Sequence, residues 1–222
     1  MQPLKAILFD LDGTLIDTAP EFADIATRLR AEAGLSPLDQ QAFRQVVSYG
    51  AVGMVSQALD MRPEATDFSH WHQRFLAEYE TSLGALSKPF RGLSDVIAEC
   101  HQAGLFWGVV TNKLERFAKP LMSKMPLTPR ADVLITPDHV THPKPHPEPL
   151  LLACQILNCP AEQTVYIGDH VRDIESGREA GCRTIAAAYG YLAESERVED
   201  WGADQIASSP EQLAEMIRGA MS

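Results

Sequence analysis

The strongest structural signal in this chain is the segment Leu4-Lys5-Ala6-Ile7-Leu8-Phe9-Asp10-Leu11-Asp12-Gly13-Thr14. Its first six residues are nearly all apolar, which is typical of a strand buried on both faces in a parallel sheet. Asp10 and Asp12 follow at the carboxyl end of this strand, where open α/β sheets bind their ligands. Two like charges this close are costly unless a cation or a proton shares the site. A simple Asp-Gly turn would explain Asp12 and Gly13 but leaves Asp10 unexplained.

Two later segments carry polar groups that suit a bound phosphate. Phe106–Val110 is expected to form a second buried strand, and Thr111 and Asn112 follow it with a hydroxyl group and main-chain amides. A plain helix cap is the alternative role for this Thr-Asn pair. Further on, the proline-rich segment His142–Pro149 holds Lys144 in a defined place, whereas a solvated surface lysine is the alternative.

Another strand is predicted to end in an acidic residue. The apolar run 164–167 precedes Gly168 and Asp169, and Asp173 follows four residues later. If a helix begins near Val171, both carboxylates lie at the strand-to-helix turn and can face one cation. Gly-Asp alone indicates only a turn, but Gly-Asp-x-x-x-Asp after a buried strand is a more specific pattern.

Six polar residues therefore fall at four successive strand ends. They are Asp10, Asp12, Thr111, Lys144, Asp169 and Asp173. This ordered set resembles the haloacid dehalogenase-like hydrolase superfamily, and specifically its phosphatases, over nearly the whole chain. A narrower resemblance is to the phosphoglycolate-phosphatase-like group and, within it, to the N-acetylmuramic acid 6-phosphate phosphatases of cell-wall recycling. The narrower resemblance rests on the segments Trp107–Lys113, Pro137–Val140, Asp173–Arg178 and Trp201–Asp204.

An inserted helical region interrupts the strand-helix pattern. From Ala19 to about Leu86 the sequence shows helical periodicity and almost no strand signal. The expected helices are Ala19–Ala33, Asp39–Val47, Ala51–Leu59 and Phe68–Leu83. In the family that this chain resembles, such an insertion is an α-helical cap over the active site. We expect a catalytic core formed by residues 1–17 and 88–222 and a cap formed by residues 18–87.

After the insertion, predicted strands and helices alternate, which favours an α/β fold with a doubly wound parallel sheet. The expected strands are Phe106–Val110, Val133–Ile135, Val165–Ile167 and Thr184–Ala187. The expected helices are Ser94–Ala103, Glu115–Met125, Pro149–Leu157, Ile174–Ala180 and Pro210–Ala220.

The resemblance implies an Mg²⁺ site made of oxygen ligands. Asp10 and Asp169 would ligate the ion directly, together with the main-chain carbonyl group of Asp12. Asp173 would hold water molecules that are bound to the metal. Carboxylate and carbonyl oxygens are the ligands that suit Mg²⁺.

The resemblance also implies a two-step hydrolysis of a phosphate monoester. Asp10 would attack phosphorus and form an aspartyl-phosphate. Asp12 would protonate the leaving alkoxide and then take a proton from the water that hydrolyses the intermediate. Thr111 and Lys144 would stabilise the negative charge on the transferring oxygens.

Substrate choice is expected to depend on the cap. In the segment Phe43–Met54, Arg44 would bind a carboxylate with two hydrogen bonds, and Ser48 would donate to a sugar ring. An exposed helix position is an equally good interpretation of Arg44. Asn112 is the third substrate-binding candidate. Lys113 is expected to face solvent, with an approach to the leaving group as the alternative.

Two histidines lie close to the catalytic candidates in sequence. His170 follows Asp169, where it would alter the pH dependence of the site or serve as an ordinary solvated loop residue. His146 lies two residues after Lys144 and is expected to have no part in the main catalytic set.

Composition limits the partners of this protein. A net charge of −11 argues against nucleic acid and anionic membranes, so the expected partner is a small phosphate monoester. The four cysteines form no C-x-x-C pair, and reduced thiols are expected rather than a disulfide framework or a zinc site. No secretion signal or membrane-spanning run is apparent, and we expect a cytoplasmic monomer or weak homodimer.

Several functions share this set of residues. The preferred interpretation is an N-acetylmuramic acid 6-phosphate phosphatase, with a phosphoglycolate phosphatase as the alternative. A sugar phosphomutase would use the same core groups, including Asp12, and stays open. A dehalogenase has no use for the metal-binding carboxylates, and a catalytically silent binding protein would be expected to lack at least one core group.

Overall fold

The computed structural model describes residues 3–221 and contains two sheets. In this part of the chain the strands are β1 (Ala6–Phe9), β2 (Ile16–Asp17), β3 (Lys88–Pro89), β4 (Phe106–Val110), β5 (Val133–Ile135), β6 (Thr164–Gly168), β7 (Arg183–Ala187) and β8 (Gln205–Ala207). Six of them form a parallel sheet in the order β5-β4-β1-β6-β7-β8, and β2 pairs with β3 in a separate antiparallel ribbon. The predicted α/β fold with a doubly wound parallel sheet is confirmed.

The first strand lies in the middle of the six-stranded sheet. Leu8 is in register with Gly108 of β4 on one side and with Tyr166 of β6 on the other. The carboxyl ends of these three strands therefore lie side by side, and the residues that follow them meet at one edge of the sheet. Gly108 permits the close approach of β5, because a Cβ atom there would lie 2.4 Å from Cγ1 of Val133.

Nine helices are present among residues 3–221. They are α1 (Ala19–Glu32), α2 (Gln40–Arg44), α3 (Gly50–Leu59), α4 (Phe68–Ser82), α5 (Leu93–Gln102), α6 (Glu115–Lys124), α7 (Glu148–Ile156), α8 (Val171–Ala180) and α9 (Pro210–Met221). None of these helices has the length and apolarity needed to cross a membrane.

One helix differs from the predicted pattern, and the short strands β2, β3 and β8 were not predicted. The helix expected over 39–47 is shorter, because Asp39 caps the start of α2 and the chain then forms a 3₁₀ turn at Val47–Tyr49. Gly50 ends this turn with a φ of 71°, a conformation that glycine adopts without strain. The strand β8 is missed by the sequence analysis, because three residues beginning with an exposed glutamine carry no clear strand pattern.

Alternate residues of the central strands pack on opposite faces of the sheet. Ile7 and Phe9 belong to a core that also contains residues of α5, α6 and α9. Ala6 and Leu8 belong to a second core, which is closed by α7. Burial on both faces explains why the first strand is apolar at every position. The cysteines are all buried free thiols, as expected; they are Cys100, Cys154, Cys159 and Cys182.

The helices α1 to α4 lie between the two strands of the antiparallel ribbon. Ile16 pairs with Pro89 and Asp17 with Lys88, so the chain leaves and re-enters the sheet region at the same place. The aromatic ring of Tyr79 in α4 packs against Phe22 of α1 and Phe117 of α6, with ring centroids 4.5 and 5.3 Å apart. The four helices therefore share their apolar core with the sheet, and their action as a separate cap stays a prediction.

Candidate active site

Three acidic side chains from neighbouring elements converge at the edge of the sheet. Asp10 follows β1, Asp169 follows β6, and Asp173 lies in the first turn of α8. All three are buried, and one carboxylate oxygen from each lies within 4.8 Å of those of the other two. The predicted metal ligands Asp10, Asp169 and Asp173 are thus brought together in a group that can hold a cation.

Hydrogen bonds fix the orientation of Asp169. Its Oδ1 accepts from the hydroxyl group of Thr14 at 3.1 Å, and its Oδ2 accepts from the main-chain N–H of Tyr191 at 2.9 Å. Two glycines make room for this carboxylate. A Cβ atom at Gly13 would lie 2.1 Å from Oδ2 of Asp169, and one at Gly190 would lie 2.2 Å from its Cβ. Any larger side chain at either position would displace Asp169 or the loop.

Lys144 supplies the positive charge inside this group. Its Nζ lies 2.9 Å from Oδ1 of Asp10 and 2.6 Å from Oδ1 of Asp173, and it also donates to the hydroxyl group of Tyr166 at 2.7 Å. The side chain is 1% exposed. The alternative of a solvated surface lysine is therefore wrong.

The side chain of Asn112 positions the main chain of Lys144. Its amide N–H donates to the carbonyl oxygen of Lys144 at 2.9 Å, and its carbonyl oxygen accepts from the N–H of Lys144 at 3.1 Å. Asn112 also lines the cavity described below, so its predicted role in substrate binding stays a prediction.

The ionisation of these groups reflects their crowding. Burial, together with repulsion from Asp10 and Asp173, raises the pKa of Asp169 to about 8. Burial also raises the pKa of Asp173, although Lys144 opposes this shift. Burial alone would lower the pKa of Lys144, but the carboxylates of Asp10 and Asp173 outweigh it and raise that pKa. When all three carboxyl groups are ionised, one ammonium group leaves two negative charges, which a divalent cation would balance.

Asp12 has different surroundings from Asp10. Its Oδ1 accepts from the hydroxyl group of Thr18 at 2.6 Å, and both carboxylate oxygens accept from Nζ of Lys113 at 3.0 and 3.1 Å. The side chain of Asp12 therefore lies outside the group formed by Asp10, Asp169 and Asp173. A contribution of Asp12 to a metal site, as predicted, would come from its main-chain carbonyl group.

The expectation that Lys113 faces solvent is wrong. Its side chain is 8% exposed, and Nζ lies 5.0 and 4.6 Å from the ring centroids of Phe22 and Tyr79. Aromatic faces attract an ammonium group, so these rings and Asp12 together hold Lys113 in one place. The sequence offered no signal for this arrangement, because both rings belong to helices of the insertion.

A cavity of about 260 Å³ opens beside Asp10 and Asp12. Thr111 and Lys113 contribute polar groups to its lining. The walls are largely apolar and come mostly from α1, the 47–51 segment, α3 and α4. The wall residues include Phe22, Val47, Met54, Phe75, Leu76, Tyr79, Leu114 and Phe117. A molecule bound here would contact Asp10 at one end and the helical insertion at the other.

The two candidates from the helical region have different positions. Ser48 lines the cavity, and its hydroxyl group donates to Oδ2 of Asp169 at 3.4 Å. Arg44 does not line the cavity. Its guanidinium group lies 2.9 and 3.2 Å from the carboxylate oxygens of Asp17 and 4.8 Å from the ring centroid of Tyr191. The structure therefore brings Ser48, but not Arg44, to the site.

Tyr191 is a site residue that the sequence analysis missed. Its hydroxyl group accepts from the main-chain N–H of Thr18 at 2.6 Å and of Ala19 at 2.9 Å, and it donates to Asp17 at 2.9 Å. Since its own N–H donates to Asp169, Tyr191 connects the three buried carboxylates to the start of the helical insertion. Tyr191 lies shortly after the end of β7, and this position near a further strand end was the sequence signal that could have identified it.

Neither His146 nor His170 belongs to the buried group of Asp10, Asp169 and Asp173. Burial and the nearby guanidinium group of Arg172 lower the pKa of His170 to about 4, so this ring is neutral near pH 7. Its Nδ1 accepts from the N–H of Arg172 at 3.2 Å, which caps α8. His146 is exposed, and its Nδ1 accepts from the N–H of Glu148 at 3.2 Å.

The fold and these side chains define an α/β protein with a carboxylate–lysine site at the strand ends of a parallel sheet. The family model of the haloacid dehalogenase-like hydrolases matches residues 7–187 of the chain. The chain therefore belongs to the haloacid dehalogenase-like hydrolase family.

Individual relatives refine this placement. The chain is 46% identical over 218 residues to the N-acetylmuramic acid 6-phosphate phosphatase of Pseudomonas aeruginosa, covering 98% of this chain and 96% of the relative. It is 37% identical over 211 residues to a phosphoglycolate phosphatase of Xanthomonas campestris, covering 95% of both chains. The crystal structure of a predicted phosphoglycolate phosphatase from Haemophilus somnus shares the fold, with a TM-score of 0.84, 22% identity and 98% coverage of both chains.

Proposed function

We propose that this chain is a Mg²⁺-dependent phosphatase that hydrolyses N-acetylmuramic acid 6-phosphate through an aspartyl-phosphate on Asp10. The observation that carries the reaction is the position of Asp10, which lines the cavity and lies in the group formed by Lys144, Asp169 and Asp173. The relative that is 46% identical over 98% of this chain supports the substrate.

The metal site would use the carboxylates of Asp10 and Asp169 and the main-chain carbonyl group of Asp12. Asp173, which already accepts hydrogen bonds from Lys144 and from the N–H of His170, would hold water molecules around the ion. The bound Mg²⁺ would neutralise phosphate charge and so allow an anionic nucleophile to approach phosphorus.

In the first step a carboxylate oxygen of Asp10 attacks phosphorus. The bond from phosphorus to the sugar oxygen breaks while the bond to Asp10 forms. Asp12, in its protonated form, gives its proton to the leaving alkoxide and becomes a carboxylate. Lys113, which lies beside Asp12 in the cavity, then pairs with this carboxylate.

In the second step water attacks the phosphorus of the aspartyl-phosphate. Asp12, now a carboxylate, takes the proton of this water, and the bond between Asp10 and phosphorus breaks to release inorganic phosphate. The hydroxyl group of Thr111 and the ammonium group of Lys144 stabilise the charge on the transferring oxygens. Asn112 holds the main chain of Lys144 for this role.

The cavity favours a substrate larger than a two-carbon acid. Its volume of about 260 Å³ exceeds what a two-carbon acid needs, and much of its wall comes from the helical insertion. Phosphoglycolate is the second candidate, because relatives that act on it are 37% identical to this chain. We further propose that the enzyme is cytoplasmic and that it acts as a monomer or a weak homodimer. Sedimentation velocity would test the oligomeric state.

Phosphate release with Mg²⁺ from N-acetylmuramic acid 6-phosphate, 2-phosphoglycolate and several hexose phosphates tests this proposal. We expect kcat/KM to be at least about tenfold higher for the muramic acid ester than for the other compounds. A preference for 2-phosphoglycolate would replace the proposed substrate while keeping the mechanism. Interconversion of sugar phosphates without phosphate release would indicate a mutase.

A further inference from the structure

Two cationic side chains line the cavity, and their surroundings differ. Lys113 is paired with both carboxylate oxygens of Asp12. Arg172 has no carboxylate oxygen within 4.0 Å among residues 3–221. A half-buried guanidinium group without an anionic partner is unusual in a chain whose net charge is −11, because its 30 acidic residues outnumber its 19 lysines and arginines.

The position of Arg172 is set by the start of α8. Its main-chain N–H donates to Nδ1 of His170, and the next residue, Asp173, is one of the three buried carboxylates. From there the side chain reaches across to the helical insertion, where Nη2 donates to the carbonyl oxygen of Ser48. A guanidinium group has five N–H donors, so this bond leaves several of them for a bound molecule.

We propose that Arg172 binds the carboxylate group of the substrate while the phosphate group lies at Asp10. A guanidinium group and a carboxylate form two parallel hydrogen bonds, which makes arginine the preferred partner for this anion. Arg44 is not available for this role because Asp17 already binds it. This inference rests on the proposed function, in which the substrate carries a lactyl carboxylate.

Through its contact with Ser48, Arg172 also joins the sheet region to the helical insertion. Arg172 belongs to the sheet region, whereas Ser48 belongs to the helical insertion and also contacts Asp169. A carboxylate held by Arg172 therefore lies at the junction of the two regions, beside the group that holds the metal. Esters without a carboxylate would reach Asp10 but lack this contact.

The test uses two esters that differ only in the lactyl ether, N-acetylmuramic acid 6-phosphate and N-acetylglucosamine 6-phosphate. For Arg172→Ala we expect kcat/KM to fall by roughly 10- to 100-fold with the muramic acid ester, mainly through KM. The value for the glucosamine ester should stay within about threefold, because that ester makes no carboxylate contact. Arg172→Lys should recover part of the lost preference, since it keeps the charge but not the paired hydrogen bonds.

Arg44→Ala is the matched comparison, because it removes the competing guanidinium group. We expect Arg44→Ala to change kcat/KM for both esters by the same factor. An unchanged preference in Arg172→Ala, or a preference lost in Arg44→Ala instead, would overturn the inference while leaving the proposed function intact.

The substrate preference of the wild-type enzyme distinguishes a failure of the proposed substrate from a failure of the inference about Arg172. If it prefers 2-phosphoglycolate, the proposed substrate is wrong, and the same variants are compared on 2-phosphoglycolate and ethyl phosphate, which lacks the carboxylate. If it prefers neither carboxylate-bearing ester, the inference about Arg172 is wrong as well. Turnover of the glucosamine ester by each variant shows that the variant is folded.

Discussion

Asp10 and Asp12 lie two residues apart but have different partners. Asp10 contacts Lys144 and belongs to the buried carboxylate group, whereas Asp12 contacts Lys113 and Thr18. This difference in surroundings supports the two roles proposed above, a nucleophile for Asp10 and an acid–base group for Asp12. Exchanging the roles of the two residues would require moving both of their partners.

Asp10→Asn should remove turnover, because a neutral amide is a far weaker nucleophile than a carboxylate. We expect kcat to fall at least about 10³-fold in assays of phosphate release with Mg²⁺. Asp95→Asn changes an exposed carboxylate on α5 in the same way and should retain activity. Substantial turnover by Asp10→Asn would show that another group attacks phosphorus.

Lys113→Met should lower kcat/KM by roughly 10- to 100-fold, because it removes the ion pair that orients Asp12. Lys119→Met is the matched control. Lys119 lies in α6, which begins shortly after Lys113; it is 74% exposed and pairs with Glu115, so the variant should retain its activity. Equal activity of the two variants would mean that Lys113 does not position Asp12.

At the scale of elements, one buried carboxylate connects the two ends of the helical insertion. Glu21 lies in the first turn of α1, and its Oε2 accepts from the N–H of Gly84 at 3.0 Å and from the hydroxyl group of Ser87. Glu21→Ala should lower the free energy of unfolding by about 1–3 kcal/mol, because buried donors lose their acceptor. Urea unfolding measures this change. Glu80→Ala, at an exposed position of α4, should stay within about 0.5 kcal/mol of the wild type.

The loop after β7 packs closely against the end of β6. Gly190→Ala would place a methyl group 2.2 Å from Cβ of Asp169, so we expect this carboxylate to move. The Mg²⁺ concentration needed for half-maximal activity should then rise at least about tenfold. Gly219→Ala is the control, because nothing lies within 4 Å of a Cβ atom there. An unchanged Mg²⁺ requirement in Gly190→Ala would exclude Asp169 as a ligand.

At the scale of the whole molecule, the proposed Mg²⁺ site would link stability to activity. Removing divalent ions with EDTA should abolish phosphate release, and Mg²⁺ should restore it. Mg²⁺ should also raise Tm, since an ion present at 100 times its Kd stabilises the folded state by about 2.7 kcal/mol. Asp169→Asn should lose most of this rise, whereas Asp95→Asn should keep it. Activity and Tm that are both indifferent to EDTA would contradict the metal site.

Local patterns along the chain were sufficient to predict the α/β sheet and to select Asp10, Thr111, Lys144 and Asp169. Buried strands have a recognisable composition, and the sheet topology places their carboxyl ends together. The roles assigned to these residues stay predictions until the variants are measured.

Other features depend on contacts between distant parts of the chain. Lys113 is turned inward by rings from α1 and α4, Arg44 is held by Asp17, and Tyr191 reaches Thr18 across 173 positions in sequence. The position of Arg172 in the cavity likewise depends on how α8 packs beside the helical insertion. No local pattern contains such information, because the direction of a long polar side chain is set by whichever partner the folded chain brings within reach.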